Sequence, residues 1–241
     1  MRLYDAAKRF NTTTASDAYG TDTFLCQYEP MSFNKIDGVA IQKRSISVEP
    51  TVTIPPRGAI TIEGKTYLVG HGAPDFWNDE VIRTTLIIQG ADGLASLNSI
   101  ANELAGTAPT TAYAALVFSK YMPDADNNSK YPPQYQVFLS GTESAPSDSL
   151  IKLNSRWFLV KQSYLSTSGL RVALANELET PTFETISFGS KTYDPITDTS
   201  GTSSSTVKIL RVKWSEHFTY LSQASENYQR GDQQIFVPKT V

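Results

Sequence analysis

From Thr23 to Gln89, stretch after stretch of this chain places an apolar or β-branched residue at every second position, and that spacing fixes the fold class. Thr23 to Tyr28 alternates, and Val39 and Ile41 open a second alternating run. Ile46, Val48, Val52 and Ile54 keep one parity across Pro50. Successive side chains of a strand point to opposite faces, so period-two spacing predicts half-buried strands. Pro50, Pro55 and Pro56 confine those strands to edges, bends and ends.

The clearest local signal is Ile60 to Val69, ITIEGKTYLV. A two-residue Glu63-Gly64 turn pairs Ile62 with Lys65 and Ile60 with Tyr67, because glycine supplies the positive φ of a tight hairpin. Residues 70–80 read as a loop, and Val81 to Gln89 as the return strand. Over residues 91–106 the period changes: Leu94, Leu97, Ala101 and Leu104 fall at helical spacing. Asp92 is placed to cap such a helix and Gly106 to end it. A short helix is also expected over 2–11.

Beyond 112 the strand pattern returns, at Tyr113 to Ser119, Tyr135 to Leu139, Leu150 to Leu165, Leu170 to Ala175, Phe183 to Phe188, Val207 to Trp214 and Gln234 to Val237. Pro123 to Pro133 and the Ser/Thr-rich Thr197 to Thr206 read as long exposed loops, the latter too polar to order itself. Ile151 to Val160, IKLNSRWFLV, matches Ile60 to Val69 without a gap. Aliphatics, turn pair, basic residue, aromatic and final aliphatic pair fall in step. The expectation is a mainly β protein of two small barrel- or sandwich-like domains, with tandem duplication as one reading and general hairpin likeness as the other. The expected boundaries are 1–90 for the first, 91–112 for a helix and linker, and 113–241 for the second.

Chemistry-bearing patterns are sparse. The single cysteine, Cys26, excludes an internal disulfide and shares a face with Phe24 and Tyr28, as a small core hydrophobe would. The two histidines, His71 and His217, stand apart from any cluster with metal-ligand spacing. Asp124, Asp126 and Asn128 match the start of a calcium loop, but Ser129 and Tyr135 occupy its glycine and glutamate places. Ser149 and Lys152, three apart on a strand, point to opposite faces and cannot act together; Ser32 and Lys35 repeat that spacing. There is no Gly-x-Ser-x-Gly elbow and no phosphate-cradling glycine loop, and Arg230-Gly231-Asp232 is a tripeptide of little weight. The reading is of no catalytic residue, no metal and no cofactor. A net charge of -3 argues against gripping nucleic acid through its phosphates. No apolar signal core or membrane-length apolar run is visible, so a soluble protein retained where it is made is expected. The functional lead is Asp75, Phe76 and Trp77, an aromatic pair in a polar stretch and the candidate interface.

The run Ile54 to Val69, IPPRGAITIEGKTYLV, resembles the central hairpin of small β-barrel neck proteins of tailed bacteriophages, the head-closure and head-tail connector proteins. The resemblance spans about residues 23–90. It implies a non-enzymatic virion protein, assembled in the host cytoplasm, that forms a ring of six or twelve identical copies. That ring would join the portal and adaptor of the filled head to the tail, with DNA passing through unheld and no membrane involved. It places Phe76 and Trp77 against a neighbour or the channel. This chain is much longer than single-barrel members of that family, so its second half is an added domain or second barrel. The other reading is a different virion β module of a baseplate or tail fibre, or a carbohydrate-binding one.

Overall fold

A computed structural model of the 241-residue chain describes residues 12–28, 32–36, 39–118, 134–194, 199–213 and 233–237. The expected helix over 2–11, the loop over 123–133, the partial calcium pattern at Asp124, His217 and the tripeptide at Arg230 lie outside these residues.

The protein is mainly β, built as two closed six-stranded barrels followed by a three-stranded sheet. The first barrel contains β1 (Thr12–Asp17), β2 (Thr23–Tyr28), β4 (Val39–Val48), β5 (Ala59–Ile62), β6 (Lys65–Trp77) and β7 (Glu80–Gly90). A further strand, β3 (Ser32–Ile36), extends β4 as a hairpin. Around the ring the order is β1-β2-β4-β7-β6-β5 and back to β1. The second barrel contains β8 (Gly93–Ser99), β9 (Thr110–Phe118), β10 (Gln134–Leu139), β11 (Ser149–Leu153), β12 (Arg156–Leu165) and β13 (Arg171–Leu178). Its ring runs β8-β9-β10-β13-β12-β11, the same connectivity strand for strand. Closure leaves neither ring with an unpaired sheet edge.

The correspondence extends to registers, turns and cores. Ile62 pairs with Lys65 and Ile60 with Tyr67; ninety-one residues later Leu153 pairs with Arg156 and Ile151 with Phe158. Both turns hold two positive-φ residues, Glu63 and Gly64 in one, Asn154 and Ser155 in the other. That backbone matches the right-handed twist of the flanking strands. Before each hairpin a proline carbonyl accepts a bond from the amide three residues on, Pro55 from Gly58 and Pro146 from Ser149. A bulge interrupts the ladder after Val69 in one barrel and after Val160 in the other.

The ten buried residues that fill the first barrel are Ala15, Cys26, Ile46, Val48, Ile60, Ile62, Tyr67, Val69, Leu86 and Ile88. Following the registers, each has a counterpart in the second core: Ala95, Ala114, Val137, Leu139, Ile151, Leu153, Phe158, Val160, Ala173 and Ala175. The match extends the likeness of the two hairpins to every strand of the two rings. Cys26 sits in the first core, and burial pushes its thiol up to about 11, in keeping with a small core hydrophobe.

Three expectations are corrected. The helix over 91–106 is mostly strand: β8 takes Gly93–Ser99, and only α1 (Ile100–Ala105) is helical. Ala95 and Leu97 face the second core while Leu94 is 51% exposed, the strand parity and not the helical one. Ser99, not Asp92, caps α1, accepting from the Asn102 amide at 3.1 Å, while Gly106 ends it in the left-handed conformation. Residues 91–112 are therefore part of the second barrel. The loop over 70–80 is instead the outer half of β6 running into a turn. From Thr199 on, the Ser/Thr-rich segment is ordered as part of β15 (Thr199–Lys213), paired with β14 (Thr182–Asp194); its first two residues lie outside the described residues. A long ladder satisfies its backbone, so it needs few apolar side chains of its own. The strand β16 (Gln233–Phe236) completes that sheet.

The barrels meet along a packed seam. Ala59 and Leu68, on the outside of β5 and β6, lie against Ala115, Phe138 and Val172 on the outside of the second barrel. Arg57 stacks on the Tyr19 ring at 3.9 Å and pairs with Glu143 at 2.8 Å. The Tyr19 hydroxyl accepts from the Tyr113 amide at 2.8 Å. The counterparts of Ala59 and Leu68 are Leu150 and Leu159, and they too are covered, by Ile100 of α1 and by Leu210 and Val212 of β15. The third sheet thus occupies, on the second barrel, the face that the second barrel occupies on the first.

Candidate functional site

The candidate interface lies at the far end of β6 and β7. Past the bulge after Val69, β6 pairs only with β7 among the described residues: residues 72–74 lie beside the part of β7 that still pairs with β4, and beyond them residues 75–77 and 80–83 form a short two-stranded arm that leaves the barrel. Pro74 is tolerated because β6 is there an outer strand. The arm closes in a two-residue turn, Asn78-Asp79, with φ of 49° and 64°. Asn and Asp accept this left-handed geometry more readily than other side chains bearing Cβ. Within the stretch expected as a loop, Gly70 and Gly72 flank a bulge and Pro74 sits on an outer strand.

The three candidate residues are brought together on this arm and have different surroundings. Phe76 is 61% exposed and Trp77 58% exposed. Phe76 pairs with Val81, itself exposed, so one side of the arm carries a continuous apolar patch. Trp77 pairs with Glu80 on the other side. Asp75 is turned onto the arm itself: its Oδ2 accepts from Arg83 Nε at 2.5 Å and from Thr85 Oγ1 at 3.1 Å. Asp75 therefore braces the aromatic tip from beneath. The sequence reading missed Val81 and Arg83, whose roles depend on cross-strand register and on the bulge between Asp75 and Phe76.

The hydrogen bond from Arg83 holds the Asp75 carboxyl below the usual carboxylate range. A carboxylate depressed in the folded state contributes order that is present above its unfolded value, about 3.9, and lost as pH falls through the folded value. The arm is therefore expected to loosen on acidification below about pH 4. In Asp75→Asn the arm should already exchange faster at neutral pH and show no such step. Amide hydrogen exchange across residues 72–83 measures both.

A second feature lies at the opposite end of the same hairpin. A cleft of about 580 Å³ opens where the first barrel joins the second. Arg44, Lys65, Tyr67, Gln89, Asp92 and Tyr113 contribute to its walls, from strands of both barrels. Arg44 donates to the Tyr67 hydroxyl at 3.1 Å, and the Asp92 carboxylate accepts from the Leu116 amide at 2.6 Å. No local motif announced this site, because its residues converge only when both rings close.

The remaining candidates are dispersed. Ser149 is buried and Lys152 exposed, on opposite faces of β11. His71 is exposed, and its backbone amide donates to Ser168 O at 2.6 Å across the seam. Among the described residues no three His, Cys, Asp or Glu side chains are grouped to hold a metal ion, and no helix is long and apolar enough to cross a membrane.

No protein-family model, curated protein or solved structure matches this chain.

Proposed function

We propose that this chain is a non-enzymatic structural subunit of a bacteriophage neck, forming a ring between the DNA-filled head and the tail. The observation that carries this reading is the braced arm of β6 and β7, which presents Phe76, Trp77 and Val81 to solvent. Large apolar side chains on a rigid projecting hairpin lose little entropy on docking and serve as anchors for a partner protein. The rest of the chain suits a building block: two filled barrels locked by a packed seam, with a net charge of -3 that would not hold passing DNA. The similarity of Ile54 to Val69 to neck-protein hairpins adds the location.

Purified particles test it. Quantitative mass spectrometry should find the protein at a fixed copy number per virion, and an antibody against it should mark the head-tail junction. Its absence from particles, or labelling at fibre tips, would overturn the reading. Labelling at fibre tips with binding on a glycan array would point to the carbohydrate-binding module instead.

A further inference from the structure

We infer that the aromatic arm of one copy inserts into the inter-barrel cleft of the next, so that the ring closes through a head-to-tail contact between its acidic tip and basic-rimmed cleft. This deepens the ring reading and rests on it.

Three observations fix the occupant as a second copy. The tip and the cleft lie at opposite ends of one hairpin. Strand β6 is 13 residues long, with Lys65 at the cleft and Trp77 at the tip. That is about 40 Å of extended chain at ~3.3 Å per residue, so a tip cannot reach the cleft of its own chain. A knob and a hole at opposite ends of one subunit make a heterologous contact, which closes into a ring when the rotation allows.

Charge is the second observation. The tip carries Asp79 and Glu80 beside its aromatics, while Arg44 and Lys65 stand on the cleft wall. One acid, Asp92, also lines the cleft, which leaves two basic side chains against one acidic. Opposite potentials steer docking and select register. The cleft also presents the half-buried ring of Tyr113, against which Trp77 or Phe76 can pack, and the hydroxyl of the otherwise buried Tyr67. Phe and Trp bury about 150–250 Å² each, so this pair provides a substantial part of the roughly 1,000 Å² that a stable interface needs. The arm's backbone and the cleft rim supply the remainder.

The third is an internal precedent. The corresponding hairpin end of the second barrel, Ser166 to Leu170, already docks against another barrel. Ser168 accepts from the His71 amide, and Gly169 packs on the His71 ring so closely that a Cβ there would overlap it. In this fold the end of that hairpin is a barrel-to-barrel contact. In the first barrel it is longer, aromatic and exposed.

A mixing experiment with the full chain decides it. A tip variant, Phe76→Ala with Trp77→Ala, and a cleft variant, Lys65→Glu, alter only exposed side chains and should keep the native circular dichroism and melting transition. Each alone should associate at least about thirty-fold more weakly than wild type in sedimentation. Mixed together they retain one working pair, the tip of one and the cleft of the other, and should give a one-to-one dimer that does not grow. A chain combining Lys65→Glu with Glu80→Lys should regain assembly. If wild type forms rings that both single variants leave intact, this contact is wrong while the ring reading stands. If wild type itself never associates, both fall.

Discussion

Replacing Phe158 with alanine should destabilise the second barrel by about 3–5 kcal/mol, the largest loss expected from truncating a fully buried side chain among the described residues. Phe158 is 0% exposed and meets Tyr135 edge-on with ring centroids 5.4 Å apart. A closed six-stranded ring has little freedom to collapse around a void, because each strand is held by ladders on both sides. The cavity therefore adds its cost to the lost burial. Urea unfolding monitored by circular dichroism measures the change. Its counterpart Tyr67 is buried as well, but its hydroxyl reaches the cleft and bonds Arg44. Tyr67→Ala should thus weaken both the first barrel and assembly, whereas Phe158→Ala should leave assembly of the folded fraction unchanged.

The second large effect is expected at the seam. A Cβ on Gly70 would lie 2.2 Å from the carbonyl oxygen of Ser168, and backbone cannot give way as a side-chain end can. Gly70→Ala should force the turn of the second barrel away from β6 and break the bond from the His71 amide to Ser168. The expected cost is about 1–3 kcal/mol, from the lost hydrogen bond and the separated apolar surfaces. The barrel cores stay intact, because Gly70 points out of the first ring and contributes nothing to its filling. One cooperative thermal transition in the wild type should become two in the variant, read by calorimetry. A single transition at unchanged temperature would show that the seam does not couple the barrels. Because the cleft spans that seam, the same substitution should weaken assembly.

Much of the fold was legible because barrel strands obey one rule. Alternation at Ile46 and Val48, and the turn pairs Glu63-Gly64 and Asn154-Ser155, predicted hairpins that formed in the expected register. The echo between Ile60 and Ile151 pointed to the structural repeat that the two rings of matching connectivity display. What failed did so for physical reasons. Leu94, Leu97, Ala101 and Leu104 fall at helical spacing, but Ala95 and Leu97 also keep strand parity, and the need of the second ring for a sixth strand decided the matter up to Ser99. Gly70, Gly72 and Pro74 are breakers inside a central strand but acceptable in an arm with one neighbour. Thr199 to Ser205 has no apolar pattern; its order comes from the backbone of β14. The aromatic pair at the candidate site was visible as composition, while its brace, Arg83, and the opposing cleft depend on contacts between residues far apart in the chain.

The most direct measurement is the mass of the purified full-length protein in solution, by light scattering across a wide concentration range. A closed assembly of six or twelve copies, dissolved by the Phe76 and Trp77 double substitution, is the predicted result. A particle that keeps the mass of one 26.5 kDa chain at the highest concentrations would contradict it.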